Sequence, residues 1–232
     1  MTNAEKFSDI ADIYAEGRPE YAADAVDYIL RLTNTPDAVI CDVGAGTGKL
    51  SRQISERGAM LYAVEPSAEM RGYLAENLRG FPNATALDGD AEHIPLGDGT
   101  ADVIVCAQAF HWFDAARYRA ECERVLRPNG VVAVVYNQVI NDLGGNFVAR
   151  ERDISDFFGG RVTRASFPNP VSYTREGWLR YRLSHSHSAR AGTPEYEPFI
   201  AEVNAQFDAD AVDDVLTLRF VTMIYRQLAI ND

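Results

Sequence analysis

The heptapeptide Asp42-Val-Gly-Ala-Gly-Thr-Gly48 constrains this chain more than any other stretch. It closes the apolar run 38–43 and leads into a segment with Leu50 and Ile54 at helical spacing. An apolar run, a glycine turn and an amphipathic segment read as strand, turn and helix. Glycines at such a turn let the backbone and the helix N-terminus approach a ligand closely. The alternation then repeats. Residues 60–65 predict a second strand, Ser67 caps a helix running to about residue 78, and 84–87 predict a short third strand. Residues 102–107 predict a fourth. The helix after it shows Ala115, Tyr118, Cys122, Val125 and Leu126 on one face, and Pro128-Asn129-Gly130 stops it before a fifth strand over 131–136. Continuous apolar strands separated by helices imply a parallel sheet covered on both faces, a doubly wound α/β core.

Both flanks read differently. Upstream, Ala22, Ala25, Val26, Ile29 and Leu30 predict an amphipathic helix over 21–32, with Pro19 near its start. Downstream, Gly144-Gly145, Gly159-Gly160 and Pro168-Asn169-Pro170 break the rhythm, and 137–190 is expected to be an inserted, partly helical lid. Within it Thr174 caps a short helix to Leu183; beyond it 194–207 predict a helix and 216–225 a final strand. The expected organisation is a single domain, with a helical cap (1–35), a core (36–136), a lid (137–190) and a closing helix and strand (191–232). At 47% hydrophobic and 24% charged residues the chain has the balance of a folded globular protein. A net charge of −12 repels nucleic acids and acidic membrane leaflets, so neither is expected as a partner. Cys41, Cys106 and Cys122 have no metal-ligand spacing and read as core thiols of a reducing compartment. With no basic start followed by an apolar stretch, and no apolar run near ~18 residues, the expectation is a cytoplasmic protein.

Three ligand classes compete for the glycine turn. A dinucleotide fingerprint counted from Gly44 needs its third glycine at position 49, which is Lys49. A P-loop needs glycine at 43 and Ser or Thr at 50, where this chain has Val43 and Leu50. What remains is acidic-x-G-x-G-x-G ending one strand, with Glu65 ending the next, where a carboxylate can accept ribose hydroxyls.

This pattern resembles the first motif of class I S-adenosylmethionine-dependent methyltransferases. The stretch Leu87-Asp-Gly-Asp90-Ala-Glu-His-Ile-Pro-Leu96 followed by Ala101-Asp-Val-Ile104, and the turn Arg124-Val-Leu-Arg-Pro-Asn-Gly130, are similar to the methyltransferase type 11 family. Tyr14-x-x-x-Arg18-Pro19-x-Tyr21, Ala107-Gln-Ala-Phe-His-Trp-Phe113 and Leu218-x-Phe-x-Thr-x-x-Tyr225 resemble its small-molecule subgroup around trans-aconitate methyltransferase. The resemblance implies a Rossmann-like sheet of seven strands, and S-adenosyl-L-methionine as cofactor with S-adenosyl-L-homocysteine as product. It implies a cofactor site built from Arg18, Asp42, Gly44, Ala45, Gly46, Glu65, Pro66, Met70, Asp90, Ala91, Gln108 and Ala109, and a substrate pocket with Tyr21, His111 and Trp112. The expected partner is a small-molecule acceptor bearing a carboxylate or hydroxyl, with the protein a monomer or homodimer. A protein or tRNA methyltransferase, and a non-catalytic cofactor-binding regulator, stay open.

Methyl transfer from a sulfonium needs mainly positioning, because the cofactor carries the activated group. A base matters only for an acceptor that is a poor nucleophile at neutral pH. His111, just past the fourth strand, is the candidate base, with packing of the following helix as its alternative; Tyr14 is the second catalytic candidate. Arg18 suits the carboxylate of the cofactor's methionine or an acidic substrate. Lys49, Asp88, the His185/His187 pair and the acidic run Asp208–Asp214 read as solvated surface, and no metal site is expected.

Overall fold

The computed structural model describes residues 17–33, 35, 37–140, 145–185 and 188–227. Its elements are α1 (Ala23–Leu30), β1 (Val39–Val43), α2 (Lys49–Ser55), β2 (Met60–Val64), α3 (Ala68–Leu78), β3 (Ala84–Leu87), β4 (Ala101–Ala107), α4 (Ala115–Val125), β5 (Leu126–Val139), α5 (Gly145–Phe157), β6 (Val162–Tyr173), α6 (Arg175–Leu183), α7 (Tyr196–Asp210) and β7 (Leu216–Gln227). The sheet is seven-stranded in the order β3-β2-β1-β4-β5-β7-β6. β3 to β5 run parallel, while β7 pairs antiparallel with both β5 and β6.

Strand periodicity explains why the central runs are apolar throughout. Ile40, Val103, Val105, Ala133 and Val135 pack on one face with Val26 and Ile29 of α1, Ile54 of α2 and Leu74 of α3. Their neighbours Cys41, Ile104, Cys106, Val134 and Tyr136 pack on the other with Tyr118, Cys122 and Val125 of α4 and Ile154 and Phe157 of α5. Burial holds all three thiols protonated, most strongly Cys41 and Cys106, as inert core cysteines require. A satellite cluster of Tyr173, Trp178, Tyr181, Val203, Phe207, Leu216 and Phe220 fastens α6 and α7 to β6 and β7.

Helix starts follow local chemistry. The Ser67 hydroxyl accepts the Met70 N–H, Asp114 accepts the Ala116 and Arg117 N–H groups, and Thr174 accepts that of Gly177.

Two sequence expectations are corrected. The turn Pro128-Asn129-Gly130 does not separate α4 from β5: α4 ends at Val125, and the turn lies within β5, where the register against β4 shifts. Its signal is that of a turn, and in this chain a strand absorbs it as a bulge. The region 137–190 is not wholly a lid. Val162–Tyr173 is a strand of the main sheet, running through Pro168 and Pro170. Proline removes a ladder donor and is tolerated at a sheet edge, which is where β6 lies. Among the described residues no helix is long and apolar enough to cross a membrane.

Candidate active site

The glycine turn adopts a backbone that its sequence demands. Gly44, Gly46 and Gly48 have φ of +70°, +59° and +87°, a region other residues enter only at a cost. The Gly44 and Ala45 N–H groups both donate to the Val64 carbonyl, at 2.9 and 3.0 Å, so the loop arches over the end of β2. There the Glu65 carboxylate accepts the Gly46 N–H at 2.8 Å and the Ser67 N–H at 2.9 Å. Burial raises its pKa, and these two bonds restrain the rise.

Asp42, at the end of β1, is 1% exposed. Its Oδ2 accepts the Ser51 hydroxyl at 2.6 Å, while Oδ1 is buried with no hydrogen-bond partner among the described residues. Burial pushes its pKa up to about 7, with the Glu65 charge adding and the Ser51 bond opposing. An acid whose folded pKa stands at about 7, against 3.8 for the free side chain, binds more protons folded than unfolded between those values. Stability is therefore expected to fall as pH rises from 4 towards 7 and to level off above. Asp42→Asn should flatten that slope in urea titrations across this range; an unchanged slope would show that Asp42 is not its source.

A cavity of about 400 Å³ opens beside the turn, within the range of small-ligand sites. Its wall includes every expected cofactor residue: Arg18, Asp42, Gly44, Ala45, Gly46, Glu65, Pro66, Met70, Asp90, Ala91, Gln108 and Ala109. Tyr21 and Trp112 line it as well. Asp90 Oδ1 accepts the Glu92 N–H at 3.0 Å, which turns the chain after β3 along the wall. Gln108 ends β4 at φ +57°, costly for a non-glycine residue, and is held there by Nε2 donating to the Asn137 carbonyl at 3.0 Å.

Not every expected residue is on the wall. His111 sits beside the cavity, not on it, with Nδ1 3.2 Å from the Tyr136 hydroxyl. The residue is exposed, yet burial of part of the ring and the nearby Arg150 and Arg18 charges push its pKa down to about 4. Tyr14 and His187 lie outside the described residues. His185 is not simply a surface group: Nδ1 lies 2.9 Å from the Tyr181 carbonyl and Nε2 3.4 Å from Arg18 Nη1.

The sequence reading also missed wall residues. Lys49, expected in solvent, lines the cavity, and burial lowers its pKa. Phe113 and Asn137 line it too, Asn137 being the one contributor among the described residues of 137–190. Helical spacing carried the missing signal for Lys49: it shares a face with Arg52 and Gln53, and these bind Glu20 and Tyr21 of the cap segment.

Comparison with known proteins gives the chain relatives. Residues 41–134 match a family model described as a methyltransferase domain. An uncharacterized methyltransferase of Mycobacterium tuberculosis is 40% identical over 154 residues, 63% of this chain and 60% of that protein, so the match spans less than two thirds of that relative. An uncharacterized methyltransferase of Schizosaccharomyces pombe is 36% identical over 216 residues, covering 85% of this chain and 84% of the relative. The chain belongs to the S-adenosylmethionine-dependent methyltransferases.

A S-adenosylmethionine-dependent methyltransferase of Aquifex aeolicus shares this methyltransferase's fold at a TM-score of 0.53, with 21% identity over 66% of this chain and 88% of that one. S-adenosyl-L-methionine is the cofactor of the family, and the residues present fit it. The methyltransferase offers an unpaired buried carboxylate oxygen on Asp42 and left-handed glycines, and around Gly46 no atom lies within 4 Å of where a Cβ would stand. That open side leaves room for a ligand against the backbone.

Proposed function

We propose that the chain transfers a methyl group from S-adenosyl-L-methionine to a small-molecule acceptor bearing a carboxylate or hydroxyl. The observation that carries this reading is the cavity itself: the ends of β1, β2, β3 and β4 line one side, and the Arg18-Pro19-Tyr21 segment closes over them. A concave site of this size suits a small acceptor better than a protein or tRNA surface. The resemblance of Arg18-Pro19-x-Tyr21 and Ala107–Phe113 to the trans-aconitate methyltransferase subgroup supports the same class.

In this reading Glu65 holds the ribose hydroxyls, Asp90 and Ala91 the adenine edge, and the glycine turn, Asp42 and Arg18 the methionine end. Pro66, Met70, Gln108 and Ala109 complete the walls, and Tyr21 and Trp112 bound the acceptor. The cofactor, once bound, supplies an electrophilic methyl on a sulfonium. The chain's own residues bind, orient and exclude water. His111, with its pKa near 4, is a weak base at neutral pH. Among the described residues no histidine lines the cavity, which favours an acceptor oxygen that is already anionic, a carboxylate, over a hydroxyl.

Calorimetry with S-adenosyl-L-homocysteine tests the cofactor, and transfer of labelled methyl from S-adenosyl-L-methionine into fractions of a cell extract tests the acceptor. Binding, with label in the low-molecular-weight carboxylate fraction, is the expected result. Label in protein or tRNA would replace the acceptor class, and absence of binding would overturn the reading.

A further inference from the structure

The cap segment is held from below by side chains that the proposed cofactor contacts do not use. On α2, the Gln53 amide makes both bonds of a closed pair with Tyr21: it accepts the Tyr21 N–H at 3.0 Å and donates to the Tyr21 carbonyl at 2.9 Å. On β7, the Thr222 hydroxyl accepts the Ala22 N–H at 3.0 Å and donates to Asn137 Oδ1 at 2.6 Å. Asn137 Nδ2 in turn donates to the Glu20 carbonyl at 2.9 Å, and Asn169 Nδ2 on β6 reaches the same carbonyl at 2.7 Å. Four elements far apart in sequence, α2, β5, β6 and β7, thus converge on three consecutive residues.

Glu20, Tyr21 and Ala22 lie outside helix and strand, so these backbone groups have no ladder of their own. Buried amides and carbonyls persist in folded proteins when they find partners. The partners here are 6% (Gln53), 0% (Thr222) and 8% (Asn137) exposed; Gln53 precedes the apolar Ile54, and Thr222 lies two residues from each of the buried Phe220 and Ile224 on the same strand. Leucine and valine would fill such positions but would leave the Tyr21 and Ala22 backbone groups without partners, and a buried donor or acceptor left unsatisfied is costly. The polar choice fixes where the backbone lies. From the opposite side α6 closes on the segment: a Cβ on Gly17 would stand 2.6 Å from the Arg180 carbonyl oxygen, and Arg18 Nη2 donates to the Ser184 carbonyl at 3.4 Å.

We propose that Gln53 and the Thr222–Asn137 pair are positioning residues that fix the 18–22 segment as a rigid roof of the cofactor cavity. The inference rests on the proposed function and deepens it. Arg18 and Tyr21 meet the ligand only where this clasp puts them, so the clasp governs cofactor affinity. Because it touches no reacting atom, the chemical step is unaffected once cofactor is bound.

The test compares Thr222→Val, Thr222→Ser and Gln53→Leu with wild type in S-adenosyl-L-homocysteine affinity, thermal midpoint and amide exchange at Tyr21 and Ala22. Thr222→Val and Gln53→Leu should each weaken binding about tenfold, the scale of one buried hydrogen bond. They should also speed exchange at Ala22 and Tyr21 respectively, with the midpoint lowered by no more than a few degrees. Thr222→Ser, which keeps the hydroxyl, should restore both readouts. Wild-type affinity in both apolar variants overturns the proposal. So does a loss of affinity that only tracks unfolding, or failure of both to fold, since either assigns these side chains to the core. If wild type itself fails to bind, the cofactor reading falls; exchange then decides the clasp alone, and undiminished protection at Ala22 in Thr222→Val overturns it.

Discussion

Glu65→Gln is expected to weaken S-adenosyl-L-homocysteine binding by roughly 10–100-fold, about 1.4–2.8 kcal/mol. The size of the effect comes from two sets of bonds on one carboxylate. Its two oxygens already accept the Gly46 and Ser67 N–H groups, and each has a further lone pair to offer ribose hydroxyls. Glutamine keeps the shape and volume, but its amide nitrogen faces one of the two backbone N–H groups, donor against donor. The turn then shifts, and one ribose acceptor becomes a donor. Calorimetry is the direct measurement, with the unfolding midpoint as a control for fold. Wild-type affinity in Glu65→Gln would remove the carboxylate from the cofactor site.

Gly48→Ala is expected to destabilise the fold by roughly 2–5 kcal/mol. Two costs add. At φ +87° an L side chain pays about 1–2 kcal/mol for the left-handed backbone. Its Cβ would also stand 2.6 Å from Leu74 Cδ1, and Leu74 is fully buried, so overpacking adds about 1–3 kcal/mol. Gly46→Ala is the control: φ is +59°, no atom lies within 4 Å of its Cβ, and only the backbone cost applies. Its effect should fall on ligand binding instead, since the new methyl fills the open side. Urea denaturation of the two variants separates these outcomes. Equal destabilisation would mean that packing against α3 contributes nothing.

The contrast between these glycines also shows what could be read from sequence. The turn was legible because three glycines at spacing two, after an apolar run, have few backbone conformations to choose from. The acidic residues were legible because each lies at or shortly past the end of a predicted strand, and parallel strands bring their C-terminal ends to one edge. β6 was not legible. Prolines at 168 and 170 read as a break, and only the finished sheet reveals that they lie on an edge where missing donors cost nothing. Lys49 was misplaced for a related reason: a lysine beginning a helix is ordinarily solvated, and what buries this one is a cap segment about thirty residues earlier in the chain. The bonds of Gln53, Asn137 and Thr222 carry no local signature, since each joins residues that only tertiary structure brings together.

The span of one of those bonds bears on how the protein is made. Ala22 and Thr222 are 200 residues apart, and β7, which carries Thr222, is inserted between β5 and β6. Contacts of such separation form late, because the intervening loop must close before they repay its entropy. On a ribosome, β1 to β5 emerge with the glycine turn, Glu65 and Asp90 already in sequence order, but β5 keeps an unpaired edge and the roof lacks its Thr222 anchor until the strand after α7 is released. The nascent chain thus passes through synthesis with an incomplete pocket and a sticky sheet edge, and that interval is when a chaperone has most to protect.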